Sequence, residues 1–227
     1  MREAKGRTVS IIATAAALVA AIIATVAFSI GLPIYFRPFY YMQIEPLGIE
    51  DVTGYDRETI IDGYDEVLDY LTRPGGEFSA GVFRFSEDGA SHFADCKGLF
   101  TLNAWAYVIS AALIIVILVL VRLGKVKLLS PLGFSIFGWA GASTLTLFAT
   151  LGALVALDFD RAFVIFHSVF FPGKDNWVFD WRYDEIILAM PETFFMNCAI
   201  LIASSVIIIS LVLVVSAVIR RRKTFED

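Results

Sequence analysis

The sequence predicts an all-α membrane protein, with four transmembrane helices and a mainly helical cap on the extracytoplasmic side. Three observations lead there. The 227 residues are 58% hydrophobic, with 20 Phe, and the mean hydropathy of +0.73 lies far above that of soluble chains. Four apolar runs, about Val9–Ile34, Leu102–Val121, Pro131–Leu157 and Phe195–Ile219, reach the roughly 20 residues that cross a hydrocarbon core. Charged residues, finally, divide by sign between the segments that join these runs. With no repeat, low-complexity tract or long linker, residues 1–227 read as a single membrane domain.

In lipid, each run must be helical, because no water satisfies loose backbone groups. Basic residues precede the first run as in a signal peptide. Its apolar stretch exceeds a typical cleaved core, however, and "FSIGLPIYF" has no small-x-small site, so it reads as a retained anchor. Arg2, Lys5, Arg7, Arg122, Lys125, Lys127, Arg220, Arg221, Arg222 and Lys223 flank the runs at the two termini and the middle link. These ten of the 18 basic residues share those segments with only Glu3, Glu226 and Asp227. By the positive-inside rule they are cytoplasmic. The segments at about 36–101 and 158–194 hold the other eight basic and 20 acidic residues, and both face outside.

The first outer segment opens with "FRPFYYMQI", where Arg37, Tyr40 and Tyr41 suit a headgroup layer. Next, Ile60, Ile61, Tyr64, Val67, Leu68 and Leu71 recur at helical spacing, with Asp56 as N-cap and Pro74-Gly75-Gly76 as the stop. "GVFRF" reads as a strand or an extended linker. Ser86 then caps a helix running into the second span, on which His92, Asp95, Cys96 and Leu99 share a face. In the second outer segment Asp160 is a candidate cap for "RAFVIFHSVFF", which ends at Pro172-Gly173 and puts Phe163, His167 and Phe171 on one face. Pro191 opens the last span, where its missing N–H costs nothing.

Several functions lose support at once. The chain has no phosphate-binding G-x-x-x-x-G-K-[ST] loop and no H-E-x-x-H, and "GFSIFG" lacks the second glycine of G-x-S-x-G. No basic patch invites nucleic acid. Cys96 and Cys198 both lie near the outer side; two buried free thiols is the simpler reading, a bridge the other.

What remains is His92 with Asp95, and His167: the only two histidines, on the same predicted side. Near neutral pH an imidazole is the natural general acid or base. Metal-free acid–base work by the pair is the leading option. A metal held by both histidines and Asp95, or a Cys96 nucleophile activated by His92, are the alternatives. So is a non-enzymatic membrane accessory whose histidines sense pH.

At these same segments, "YDEVLDYL", "HFADCKGLF" and "FVIFHSVFFPGKDNWVFDWRYDEIILAMPETFF" resemble the bacterial four-span family of lipoprotein intramolecular transacylases. The H-x-x-D element and the F-H-x-x-F-F run are the specific parts. The chain departs at Cys96, where an aliphatic residue is expected. The resemblance implies a cytoplasmic-membrane enzyme with an extracytoplasmic site, diacylglyceryl-modified lipoproteins and membrane lipid as partners, and no cofactor or metal. Its reaction moves an acyl chain from a lipoprotein's diacylglyceryl group to the α-amino group of the same N-terminal cysteine, giving a lyso-form lipoprotein. His92 and His167 then map onto the family's paired histidines, with Asp95 placed to orient His92. Phe163 and Phe171 would hold acyl chains, and Tyr64, Asn176 and Trp177 are candidates for substrate or oxyanion contacts.

Overall fold

A computed structural model describes residues 2–226, and the side chains of residues 6–222. The side chains of Arg2, Lys5 and Lys223, on which the charge argument drew together with Glu3, Glu226 and Asp227, lie outside those described. The elements run α1 (Arg2–Tyr35), α2 (Pro38–Tyr41), α3 (Ile49–Thr53), α4 (Arg57–Thr72), α5 (Glu87–Arg122), a 3₁₀ turn (Pro131–Gly133), α6 (Ile136–Leu157), α7 (Phe159–Phe170), α8 (Ile186–Ala189) and α9 (Glu192–Glu226). Among the described residues there is no strand, and "GVFRF" is a turn followed by extended chain.

Four helices are long and apolar enough to cross a membrane, over Gly6–Tyr35, Glu87–Arg122, Ile136–Leu157 and Glu192–Arg222. At 1.5 Å per residue, the 36 residues of α5 extend about 54 Å, well beyond the ~30 Å hydrocarbon core. Several of its turns are therefore left over for work outside the lipid tails.

The described residues form two compact units. The span unit takes residues 1–30, 104–153 and 202–227. Small residues let its helices approach closely. A Cβ on Gly138 would stand 2.4 Å from the Cβ of Ala217, and one on Gly141 would stand 2.7 Å from the backbone oxygen of Ser210. This is the packing expected where lipid supplies no hydrophobic drive between helices. Hydroxyls within the helices bond back one turn, Thr25 to the Ala21 oxygen and Thr144 to that of Ala140, which satisfies them without a partner helix. The Leu129 N–H donates to Thr14 Oγ1 at 2.9 Å. Ile115 and Ile208 are each 61% exposed, as lipid-facing side chains are.

The second, aromatic unit takes residues 31–103 and 154–201. Helix α4 buries Ile60, Tyr64, Val67, Leu68 and Leu71, the face its periodicity marked. Tyr64 stacks on Tyr40 at 3.7 Å, and Phe194 meets Tyr40 edge-on at 5.2 Å. The Tyr40 hydroxyl donates to the Ala189 oxygen at 2.8 Å. Arg37 pairs with Asp65 and Asp69 on α4, which ties the chain after α1 to α4. Asp56 caps α4 by accepting from the Thr59 N–H, and Ser86 Oγ accepts from Gly89 N–H at the start of α5. Helix α7 is capped by Asp158, which accepts from the Arg161 N–H at 3.0 Å, rather than by Asp160. The helix begins two residues earlier than the polar residue nearest its apolar run suggested.

Candidate active site

Two elements of the aromatic unit carry the site: the first turns of α5 and the whole of α7. Asp184 holds the start of α5 from 98 residues downstream. Its Oδ1 accepts from both the N–H and the hydroxyl of Ser86, each at 2.8 Å. Gly89 has to be a glycine here, since a Cβ would meet that same oxygen at 2.3 Å. His92 follows one turn later.

Helix α7 is amphipathic in an unusual sense, because its outward residues Val164, Ile165, Phe166, Val169 and Phe170 are exposed yet apolar. Such a face suits lipid. Its inward face presents Phe163 and His167, and Phe171 follows at the C-cap.

The fold brings the two histidines together, with ring centroids 5.7 Å apart. Each is almost fully enclosed, His92 at 7% and His167 at 6% exposure. Phe171 packs against both, 4.8 Å from His92 and 5.7 Å from His167. Phe179 closes on His92 at 5.6 Å. His167 also packs on Phe163 at 4.3 Å and on Trp177, which stacks on it at 4.4 Å.

Each imidazole has one nitrogen bonded to protein. His167 Nδ1 donates to the Phe163 oxygen at 2.8 Å, one helical turn back. His92 Nε2 lies 3.4 Å from Cys96 Sγ. The remaining nitrogens stay uncommitted, and that of His92, Nδ1, is buried without a hydrogen bond. Burial holds the His167 pKa below the ordinary imidazole value, although the Phe163 oxygen opposes this. The ring is therefore neutral near pH 7, as a base has to be.

Asp95 takes a different position from the one expected of it. Its carboxylate accepts from Lys174 at 2.6 Å and from Asn176 at 3.1 Å, and makes no hydrogen bond to His92. Nearest neighbours on a helix need not pair when a cation from elsewhere in the fold competes. Lys174 and Asn176 belong to the turn after α7, and the Trp177 indole N–H donates to the Lys174 oxygen at 3.1 Å. Asp95 thus fastens the turn whose tryptophan covers His167. Tyr64 is 2% exposed, and its ring contacts are Tyr40, Tyr41 and Phe194 rather than either imidazole. Asn176 keeps a buried, unpartnered Oδ1. Lys174 and Phe179 escaped sequence reasoning; the Pro172-Gly173 turn, which folds the following residues back along α7, was the available signal.

The two thiols are free. Among the described residues, no group of three His, Cys, Asp or Glu side chains is gathered closely enough to hold a metal ion.

The sequence model of the family described as lipoprotein intramolecular transacylase Lit matches residues 15–195. This chain belongs to that family. Its members are acyltransferases, and the fold agrees with the assignment. The membrane-integral Lit of Bacillus cereus superposes with a TM-score of 0.83 at 24% identity, covering 96% of this chain and 97% of that one. Structures of two histidine variants of the same Lit, to arginine and to alanine, give TM-scores of 0.76 and 0.77 at 22% identity, over 95% and 98% of this chain and 94% and 100% of theirs. No curated sequence matches. Like the Lit structures, this Lit-family chain is an all-helical, multi-pass membrane protein.

Proposed function

We propose that this Lit-family protein moves an acyl chain from the middle glycerol oxygen of a diacylglyceryl-cysteine to the α-amino group of that cysteine, using His92 and His167 for acid–base work without a metal. The observation that carries this reading is the enclosed histidine pair, with one uncommitted nitrogen on each ring. The positive-inside distribution supports cytoplasmic termini and a site on the outer side of the bacterial cytoplasmic membrane, where lipoproteins carry their diacylglyceryl group.

The chemistry asks for geometry before basicity. An α-ammonium of pKa about 7.7–8.0 is already about one-tenth neutral at pH 7. Attack on the ester closes a ring of about eight atoms, and holding such a conformation is worth up to roughly 7–11 kcal/mol, against the ~10²–10⁴-fold of acid–base help. Phe163, Phe171 and the apolar face of α7 hold the acyl chains while Asn176 and Trp177 shape the polar side of the site.

Mass spectrometry of a lipoprotein's N-terminal peptide, from bacterial cells with and without the gene, tests the activity. The lyso form should appear only with it, and purified protein should convert a diacyl lipopeptide after exhaustive chelation. Unchanged diacyl peptide in expressing cells would exclude the transacylase reading. Activity lost on chelation and restored by one metal would replace the metal-free mechanism.

A further inference from the structure

The two imidazoles differ in which nitrogen the protein occupies. In His167, Nδ1 faces a backbone carbonyl. A carbonyl only accepts, so Nδ1 carries the proton and Nε2 keeps a lone pair. In His92 it is Nε2 that is occupied, by Cys96 Sγ from the next turn of α5. Thiol sulfur is a poor acceptor, whereas an unprotonated imidazole nitrogen is a good one, so this contact is made by Sγ–H donating to Nε2. No carboxylate is hydrogen-bonded to His92 to hold a second proton. Its single proton then sits on Nδ1, the buried atom without a partner, in a side chain only 7% exposed.

We propose that Cys96 is a positioning residue that fixes His92 as the Nδ1–H tautomer, making His92 a neutral hydrogen-bond donor to the ester carbonyl oxygen and leaving His167 to carry the moving proton. This rests on the transacylase reading and narrows it: the acid–base work given above to the pair falls to His167, and His92 acts by hydrogen-bond donation alone.

The proton count closes on His167 alone. The amine nitrogen attacks the ester carbonyl carbon, and one of its protons passes to His167 Nε2. Negative charge gathers on the carbonyl oxygen, which faces His92 Nδ1–H. The bond between that carbon and the glycerol oxygen then breaks, and the proton on His167 Nε2 goes to the departing oxygen. One C–N bond forms, one C–O bond breaks, and His167 ends neutral as it began. His92 keeps its proton throughout. A neutral imidazole that released its only N–H proton would become an imidazolate, an anion that the rings of Phe171 and Phe179 offer nothing to stabilise. Donation without release avoids that.

Having only two histidines, the protein is suited to histidine-selective ¹⁵N labelling in detergent, with His167→Gln to assign the signals. Both rings of the wild type should resonate as Nδ1–H tautomers near neutral pH. Cys96→Ala should move the His92 signals toward the Nε2–H form and leave those of His167 in place, while Cys96→Ser, whose hydroxyl also donates, should restore the wild-type pattern. On a diacyl lipopeptide, loss of this weak hydrogen bond should lower kcat about three- to tenfold in Cys96→Ala, with KM little changed. Cys96→Ser should recover most of that loss. A wild-type His92 in the Nε2–H form overturns the proposal without recourse to any variant, and so do His92 signals indifferent to Cys96→Ala. Failure of the wild type to make lyso-lipopeptide overturns the transacylase reading, and with it the catalytic role, whereas the tautomer readout judges Cys96 itself.

Discussion

The two units solve opposite packing problems. In the span unit, contacts are made by residues with almost no side chain, such as Gly138 and Gly141 on α6 against Ala217 and Ser210 on α9. In the aromatic unit they are made by the largest side chains available, with Tyr40, Tyr64 and Phe83 almost fully buried. Lipid tails are as apolar as leucine, so burying a large side chain between spans gains little and close backbone approach gains more. Where water is the solvent, burial of big rings is the main drive. The chemistry belongs with the second solution, because only an enclosing shell of rings takes two imidazoles out of water while leaving one nitrogen on each uncommitted.

If the units divide the labour in this way, substitutions should split cleanly between activity and stability. The largest effect is expected for His92→Ala and His167→Ala, each lowering lyso-lipoprotein formation by about 10²–10⁴-fold in protein that still inserts and folds. The double variant should be little worse than the more damaging single one, since groups that act together are not additive. Near-normal turnover in His167→Ala at normal protein levels would break the comparison outright.

Gly141→Leu should do the reverse. A Cβ there already meets the Ser210 oxygen at 2.7 Å and the Leu213 Cβ at 2.9 Å, so the branched side chain should cost about 1–3 kcal/mol, read as earlier thermal unfolding in detergent. Turnover per folded molecule should stay unchanged. A variant as stable as the parent would mean that α6 and α9 are not held by close approach.

Asp95→Ala tests the fastening of the turn after α7. The Asp95–Lys174 pair is partly exposed, 25% and 46%, so its loss should cost at most about 1 kcal/mol of stability. Turnover should nevertheless fall about tenfold, because small displacements of a reacting group are expensive and Trp177 would no longer be held over His167. Equal activity in Asp95→Ala and the parent would leave the carboxylate a surface residue.

The smallest effect concerns pH. Burial lowers the His167 pKa, so its neutral, basic form persists below the ordinary ~6.5, and the acid limb of kcat should fall below that value. The unfolded chain takes up this proton first as pH drops. The stability that neutral His167 contributes is therefore complete above about 6.5 and is lost as pH falls through the folded pKa. Trp177→Ala admits water and should move the acid limb upward, by a fraction of a pH unit. An unmoved limb would show that the indole does not desolvate the imidazole.

Local chemistry was the legible part of this molecule. The apolar runs, the face of α4, the caps at Asp56 and Ser86 and the neighbourhood of His92 and Cys96 all follow from spacings of a few residues. What spacing cannot display is competition from afar. Asp95 looked like a partner for His92 because they are three residues apart, yet Lys174, 79 positions away, takes the carboxylate. Tyr64 carries a polar handle, and nothing in its own helix reveals that Tyr40 lies flat against it. Asp158 and Asp160 both precede the same apolar run, and only the bond from the Arg161 N–H to Asp158 separates them.

The clasp of Asp184 on Ser86 and Gly89 also sets an order of events during synthesis. The turn of α5 that holds His92 leaves the ribosome long before its clamp exists; at about 5–20 residues per second, the 98 intervening residues take roughly 5–20 s. One further apolar span, α6, is made within that interval, and α9 follows it. The end of α5 that carries His92 is thus held only after residue 184 has been made, and a product truncated before it lacks the bonds to Ser86.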